Sequence, residues 1–473
     1  MCGAEPASAC DDGRDVSLLG RLHRPAPRRL SPAQAVVLAF VVAILVGTAL
    51  LRLPLAHAPG NDHGWLTALF TATSAVCVTG LIVVDTGSAW SPFGQVVIAL
   101  LIKAGGIGIL SLGALVALAT GRRMGFTERQ RLQAQTNALS VGGIVRFVRN
   151  LLVFTTTTEL LGALALWPRL AQVDGLWQGA WSALFHAVSA FNNAGFSLYA
   201  DSLERFAADA WVPSLVAGLF VLGGLGLVVV IELALRLGLG PDRNARRRVF
   251  TLHTRLALVT TLGLAVAGSL AIATLEWRNP ATLGALAPAE RPLAAAFQAL
   301  TPRTAGFTVL DPGAYETPTT LVTMLMMFVG GNPGSTAGGV KTTTFVVLVL
   351  AVLAAMRGRS HVTALGRTID SATITKAAVL TTMGVASIGG VATLLTITEP
   401  TLPVLAVLFE TVSAFGTVGL SLGITAEVSA VGRLALVTLM FVGRVGLLTV
   451  ALALVAADRR PAARYPNEDV VVG

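Results

Sequence analysis

The chain is 473 residues long, 54% hydrophobic and only 12% charged, with a formal net charge of +9. That balance excludes an ordinary soluble domain and leaves room for many spans of about 20 apolar residues each. The arginines cluster in connectors on one side of the spans, so the positive charge argues for a lipid bilayer and against nucleic acid as a partner. Three cysteines, Cys2, Cys10 and Cys77, offer no disulfide framework.

Residues 1–30 are polar, with no apolar core for a cleaved signal peptide, and are expected to form a cytoplasmic N-terminal tail. From there one unit (span, half-length helix, span) is predicted four times. Repeat 1 covers 31–120, with spans near Ala33–Leu55 and Phe93–Ala119 around a half-helix near Gly64–Val76. Repeat 2 covers 144–240, with spans near Ile144–Leu166 and Trp211–Leu237 around Leu176–Phe191. Repeat 3 covers 252–357, with spans near Leu256–Leu275 and Thr319–Met356 around Arg291–Thr301. Its second span is too long for one crossing and is interrupted by glycines. Repeat 4 covers 374–457, with spans near Ala377–Ile397 and Ala430–Ala456 around the stretch Leu408–Leu420, and 458–473 is expected to be a cytoplasmic C-terminal tail.

Every connector between repeats is basic: Arg122, Arg123, Arg129 and Arg131; then Arg243, Arg246, Arg247 and Arg248; then Arg357, Arg359 and Arg367. Segments beside the half-helices are poor in Lys and Arg. Both termini are therefore expected in the cytoplasm, with the half-helices dipping in from outside.

The half-helices end alike. Each carries Phe (Phe70, Phe185, Phe297, Phe409), then Ser or Thr four residues on, then Gly followed by Leu or Phe. Gly80, Gly195, Gly306 and Gly419 recur at intervals of 115, 111 and 113 residues, the mark of a duplicated unit. Glycine adopts positive φ readily, so successive carbonyls can point one way and replace the water around a dehydrated cation. The predicted ring is Val78, Thr79, Gly80 and Leu81; Asn193, Ala194, Gly195 and Phe196; Thr304, Ala305, Gly306 and Phe307; Thr417, Val418, Gly419 and Leu420. Half-helix C-termini aimed at its centre favour a cation. Asp85, Asp201 and Asp311 follow their glycines by five or six residues, and either concentrate cations at the mouth or serve as loop caps.

The second spans share a further alignment: Gly106, Gly224 and Gly331 stand where the fourth has Arg444. An arginine at mid-span costs roughly 2.5–3.5 kcal/mol on insertion scales, so it is expected to face a cavity below the ring, or to satisfy loose carbonyls of a broken helix. Those carbonyls lie in the interruption of repeat 3: Gly330, Gly331, Asn332, Pro333, Gly334, Ser335, Thr336, Ala337, Gly338, Gly339, then Val340 and Lys341. Irregular backbone at membrane depth must be buried in protein or line a cavity. A gate loop and a static kink both fit. The stretch is no phosphate-binding P-loop, because Val340 separates the last glycine from Lys341. Lys103 is a second intramembrane cation, with Glu159 and Glu232 as candidate partners, and Thr155–Thr158 is expected to hydrogen-bond helix carbonyls.

With these residues in view, the chain resembles the Trk/Ktr/HKT superfamily of cation transporters. The resemblance covers nearly everything after residue 30. It is most specific at Thr301–Phe307, Pro333–Thr342 and Gly443–Gly446, and lies closest to the KtrB-type membrane subunit. It implies an all-α polytopic protein, its four repeats in pseudo-fourfold order around one ion pore, in a bacterial plasma membrane. The implied cargo is K+, with Na+ as a possible coupling ion, and no organic cofactor in this chain. The implied partners are a second copy, as a homodimer, and a cytosolic nucleotide-binding (RCK-type) regulatory ring. The resemblance also implies that the broken span of repeat 3 gates the pore, that Arg444 sits at the constriction, and that Gly80 favours potassium. The alternatives are a sodium-selective or poorly selective monovalent cation uniporter and a broken-helix secondary transporter. No enzyme is expected, since no metal cluster or nucleophile–base pair falls within the spans.

Overall fold

The computed structural model describes residues 32–107, 144–237, 250–446 and 449–450. Both tails, the basic connectors 108–143 and 238–249, and the far ends of the second spans of repeats 1 and 4 lie outside the described residues.

Four long helices are the first spans: α1 (Pro32–Leu51), α4 (Ile144–Asp174), α8 (Leu252–Glu276) and α12 (Ser371–Thr398). Leu45, Leu164, Leu262 and Val385 are among the large apolar side chains they leave exposed. Such faces suit a lipid solvent, and the helix satisfies its own backbone there. Four short helices follow: α2 (Trp65–Val76), α5 (Leu176–Phe191), α9 (Arg291–Leu300) and α13 (Val404–Gly416). At 10 to 16 residues none reaches across a bilayer core. The recurring phenylalanines Phe70, Phe185, Phe297 and Phe409 are all buried, and tie each short helix into the core.

The second spans are α3 (Pro92–Gly106), the pair α6 (Trp211–Gly224) and α7 (Leu227–Arg236), the pair α10 (Thr317–Phe328) and α11 (Thr342–Met356), and α14 (Ala430–Val445). Ser91 and Ser429 start α3 and α14 as N-caps, their hydroxyls accepting from the amides of Gly94 (3.2 Å) and Gly432 (3.3 Å). The sequence predicts one interrupted second span, but the structure breaks two. The predicted continuous span Trp211–Leu237 bends by 105° between α6 and α7, at Leu225 and Gly226. Packing accounts for the glycines at these places. A Cβ on Gly105, Gly223 or Gly443 would run into the carbonyl oxygen of Val76, Phe191 or Phe415 respectively, each four residues before a ring glycine. The second span must therefore pass close behind the end of its own short helix.

The repeats are arranged cyclically. The second span of each packs on the short helix of the next: α3 on α5, α6 on α9, α10 on α13, and α14 back on α2. This closes a pseudo-fourfold all-α assembly in one chain. A small antiparallel hairpin, β1 (Thr363–Ala364) and β2 (Arg367–Thr368), joins repeats 3 and 4.

Candidate functional site

The four short helices end in loops of one conformation. In each, a residue with left-handed backbone precedes a left-handed glycine by two: Val78 and Gly80, Asn193 and Gly195, Thr304 and Gly306, Thr417 and Gly419, with φ between +51° and +93°. Such backbone costs roughly 1–2 kcal/mol at a non-glycine residue and persists only where the surroundings impose it. Hydrogen bonds impose it here. The Ser74 hydroxyl accepts from the Gly80 amide (3.0 Å) and the Ser413 hydroxyl from the Gly419 amide (3.1 Å). In repeat 3 the Thr301 carbonyl accepts from the Ala305 amide (2.9 Å), while its hydroxyl donates to the Phe307 carbonyl (2.7 Å).

The four glycines meet. A Cβ built on Gly80 would lie 3.1 Å from Cα of Gly195; on Gly195, 2.9 Å from Gly306; on Gly306, 3.4 Å from Gly419; on Gly419, 3.0 Å from Gly80. Each such Cβ would also strike the carbonyl oxygen before the neighbouring glycine: Ala194, Ala305, Val418 and Thr79 in turn. The structure thus gathers a closed ring of backbone oxygens at the C-terminal ends of four helices. It leaves the side chains of Leu81, Phe196, Phe307 and Leu420 outside that ring, buried in the apolar core. The Phe307 carbonyl, engaged by Thr301, turns back toward its own helix.

Braces not anticipated from the sequence hold the segment beyond three of the four glycines. They sit one residue after the recurring phenylalanine. His186 Nε2 shares a hydrogen bond with the Ser197 hydroxyl (2.9 Å), Gln298 Oε1 accepts from the Val309 amide (3.2 Å), and Glu410 accepts from the Thr425 hydroxyl. Their signal is a polar residue repeated at one register of an otherwise apolar helix.

The predicted gate loop lies directly against three of the four ring loops, at Asn193, Thr304 and Thr417. Gly330 donates to the Val340 carbonyl (2.8 Å) and the Gly331 carbonyl accepts from the Thr342 amide (3.1 Å), which closes its neck. The Asn332 amide donates to Gly224 (3.1 Å) and the Thr336 amide to Gly223 (3.3 Å), while the Gly334 carbonyl accepts from Leu227 (3.1 Å). The kink of repeat 2 therefore cradles the break of repeat 3, with Gly226 close under the Pro333 carbonyl. At the tip, the Thr336 hydroxyl donates to Asn193 Oδ1 (2.8 Å), and a Cβ on Gly338 would strike the Thr417 hydroxyl. Gly339 packs on Gly416, and the Ser335 hydroxyl accepts from the Ala337 amide (3.3 Å). Lys341 Nζ donates back to the carbonyls of Ala337 (2.6 Å) and Gly338 (3.3 Å). Arg444 is buried and its guanidinium donates to the carbonyls of Thr336 and Gly105, so it clips the loop to the last turn of α3. Such partners satisfy much of the irregular backbone of the loop.

Lys103 takes Glu159 as its partner, at 2.5 Å, rather than Glu232, which accepts from the Thr251 amide (3.2 Å). Thr155 and Thr158 do hydrogen-bond helix carbonyls, of Leu152 (3.1 Å) and Phe154 (2.8 Å). The three aspartates after the glycines act as caps and partners. Asp85 accepts from the Ser88 amide (2.8 Å), Asp311 from the Gly313 amide (2.8 Å), and Asp201 pairs with Arg205 (2.6 Å). Burial pushes the Asp201 carboxyl up, but the Arg205 hydrogen bonds outweigh it and hold it below its usual range. Glu204 nearby is pushed up to about 7, by burial first and then by the charge of Asp311.

A family model described as TrkH, cation transport protein, matches residues 18–461. The Ktr system potassium uptake protein B of Bacillus subtilis is 40% identical over 447 residues, 94% of this chain and 97% of that protein. The potassium/sodium uptake protein NtpJ of Enterococcus hirae is 35% identical over 452 residues, 94% of this chain and 98% of that protein. The potassium transporter TrkH of Vibrio parahaemolyticus superposes with a TM-score of 0.71, covering 92% of this chain and 87% of that one, at 18% identity.

Proposed function

Because the chain belongs to the TrkH family of cation transport proteins, we propose that it is the potassium-translocating membrane subunit of a Ktr-type uptake system. The family is one of transporters, so the chain is a transport protein and not an enzyme. The observation that carries the proposal is the ring: four glycine loops, in repeat order, closing on themselves. A bare cation loses much solvation energy on entering a low-dielectric interior. Carbonyl oxygens of Thr79, Ala194, Ala305 and Val418 would return it, and the C-terminal ends of α2, α5, α9 and α13 would add partial negative charge.

Below the ring, the loop from Gly330 to Lys341 and Arg444 are taken as the gate, with Arg444 a fixed positive barrier to a descending cation. Relatives named for a Ktr system imply a partner subunit. We take it to be a cytosolic ring of nucleotide-binding (RCK-type) regulatory domains, with two copies of this chain forming a homodimer in a bacterial plasma membrane and both termini in the cytoplasm. Sodium is the second candidate ion, as a coupling ion or as cargo. The Enterococcus relative, named for both ions, supports that reading, as does a ring in which only the fourth loop reads Thr417-Val418-Gly419.

The test is isotope flux into proteoliposomes under matched K+ and Na+ gradients. Potassium uptake well above sodium uptake is expected. Equal rates would favour the unselective uniporter, and no flux of either, with no rescue of a potassium-uptake-deficient bacterium, would sink the proposal.

A further inference from the structure

Lys103 and Glu159 form a buried ion pair that ion passage, as described above, does not use. The Lys103 ammonium also donates to the Thr155 hydroxyl (3.1 Å), and the two side chains are 19% and 4% exposed. Taking such a pair out of water costs about as much as its attraction returns, so stability alone does not account for it. The other carboxylate oxygen of Glu159 supplies a reason. Oε1 accepts from Asn192 Nδ2 at 2.7 Å, and the same Nδ2 donates to the Val188 carbonyl at 2.8 Å. Two acceptors on one side fix which way the amide faces. On its other side Asn192 is wedged against α3, where a Cβ on Gly106 would stand 2.5 Å from its Cγ and 2.6 Å from its Cβ.

Asn192 is the residue immediately before Asn193, whose φ of +60° opens the second ring loop. The other loops carry Cys77, Arg303 and Gly416 at this register. Arg303 behaves in a parallel way: it reaches Thr261 on the first span of its own repeat, at 3.4 Å to the carbonyl and 3.4 Å to the hydroxyl. Two of the four loops are thus propped from behind by their own first span.

We propose that Lys103, Glu159 and Asn192 form a positioning device that holds the second ring loop at its working diameter, and thereby sets how well the ring discriminates K+ from Na+. Lys103 holds the carboxylate in one orientation, the carboxylate holds Asn192, and Asn192 holds the backbone that feeds Ala194 and Gly195 into the ring. This rests on the reading of the ring as the ion selector.

The test uses the full chain in proteoliposomes and reads the ratio of K+ to Na+ flux, which a merely structural role would leave alone while lowering the yield of folded protein. Removing one charge would strand the other, so the pair is removed together. Lys103→Met with Glu159→Gln keeps an acceptor oxygen for Asn192 but loses the ammonium that orients it, and is expected to lower the ratio by less than the loss of the acceptor itself. Lys103→Met with Glu159→Leu removes that acceptor and is expected to lower the ratio roughly tenfold, the scale of one lost buried hydrogen bond. Asn192→Ala leaves the ion pair intact, guards against a double variant that fails to fold, and is expected to lower the ratio as far. A high ratio in the unaltered chain that Asn192→Ala leaves untouched overturns this proposal alone. A ratio near one in the unaltered chain overturns the parent reading and this one with it.

Discussion

Gly195 shows how little room a single position leaves. Its φ of +70° is left-handed, and an added Cβ would sit 2.9 Å from Cα of Gly306 and 3.0 Å from the Ala305 oxygen, all backbone that has nowhere to retreat. Gly195→Ala should therefore cost roughly 1–2 kcal/mol in backbone strain and displace the ring oxygens. The expected outcome in flux assays is a collapse of potassium selectivity in protein that still inserts; unchanged K+ and Na+ rates would show that the ring is not the selector. Arg444 is the opposite case, one side chain holding two elements. Arg444→Ala removes both hydrogen bonds, to Thr336 and Gly105, along with the charge. Potassium flux is expected to rise by on the order of tenfold, the worth of about one charge-assisted hydrogen bond. Flux at the unaltered level in folded protein would remove the barrier role. The ring glycines were legible because backbone geometry imposes residue type, and type recurred at a fixed interval. The partner of Lys103 was not, since two acids at similar depth satisfy the same chemistry and only the packing of α3 on repeat 2 selects Glu159.

At the scale of elements, the break between α10 and α11 is held by many weak contacts and few apolar ones. Such segments open at low cost compared with a packed helix. Thr336→Val cuts the tie to Asn193 while keeping the volume, and deleting residues 334–339 removes the tip. If the proposed partner subunit regulates this loop, both changes should make transport less dependent on it, the deletion more so, read as flux with and without that subunit. Gating that neither change alters would mark the break as a static kink. The half-helices and the interruption of repeat 3 could be read from run length and from clustered Gly and Pro. The 105° bend of repeat 2 could not. Gly223, Gly224 and Gly226 resemble ordinary small residues of a membrane helix until the loop of repeat 3 is laid into the angle they make.

Across the whole molecule, the cyclic order couples neighbouring repeats on the side where the ring loops continue outward. The strand after Gly195 and the strand after Gly306 are stitched at Ser202, Leu203 and Thr308, with the Thr308 hydroxyl donating to Glu204 at 3.3 Å. Glu204 is raised from 4.5 to about 7, so between those values the folded protein holds a proton that the unfolded chain has given up. Its contribution to stability is complete below about 4.5 and is lost as pH rises through about 7. Glu204→Gln should flatten this dependence: its melting temperature should exceed that of the unaltered chain at pH 8, and the gap should narrow or reverse at pH 5. Parallel melting curves across that range would remove Glu204 as the cause. The fourfold plan itself was legible, because duplication preserves spacing even where residue identity has drifted. The direction of closure, each second span on the next short helix, is a property of packing and left no trace in residue order.

That closure runs from the last quarter of the polypeptide back to the first, since Gly419 is seated against Thr79 and Gly80. During synthesis the first three quarters emerge with one flank of the circle missing. Nascent chains stalled before residue 419 should therefore be electrically silent in planar bilayers however well they insert, and a cell making this protein is spared a leak until translation is nearly finished.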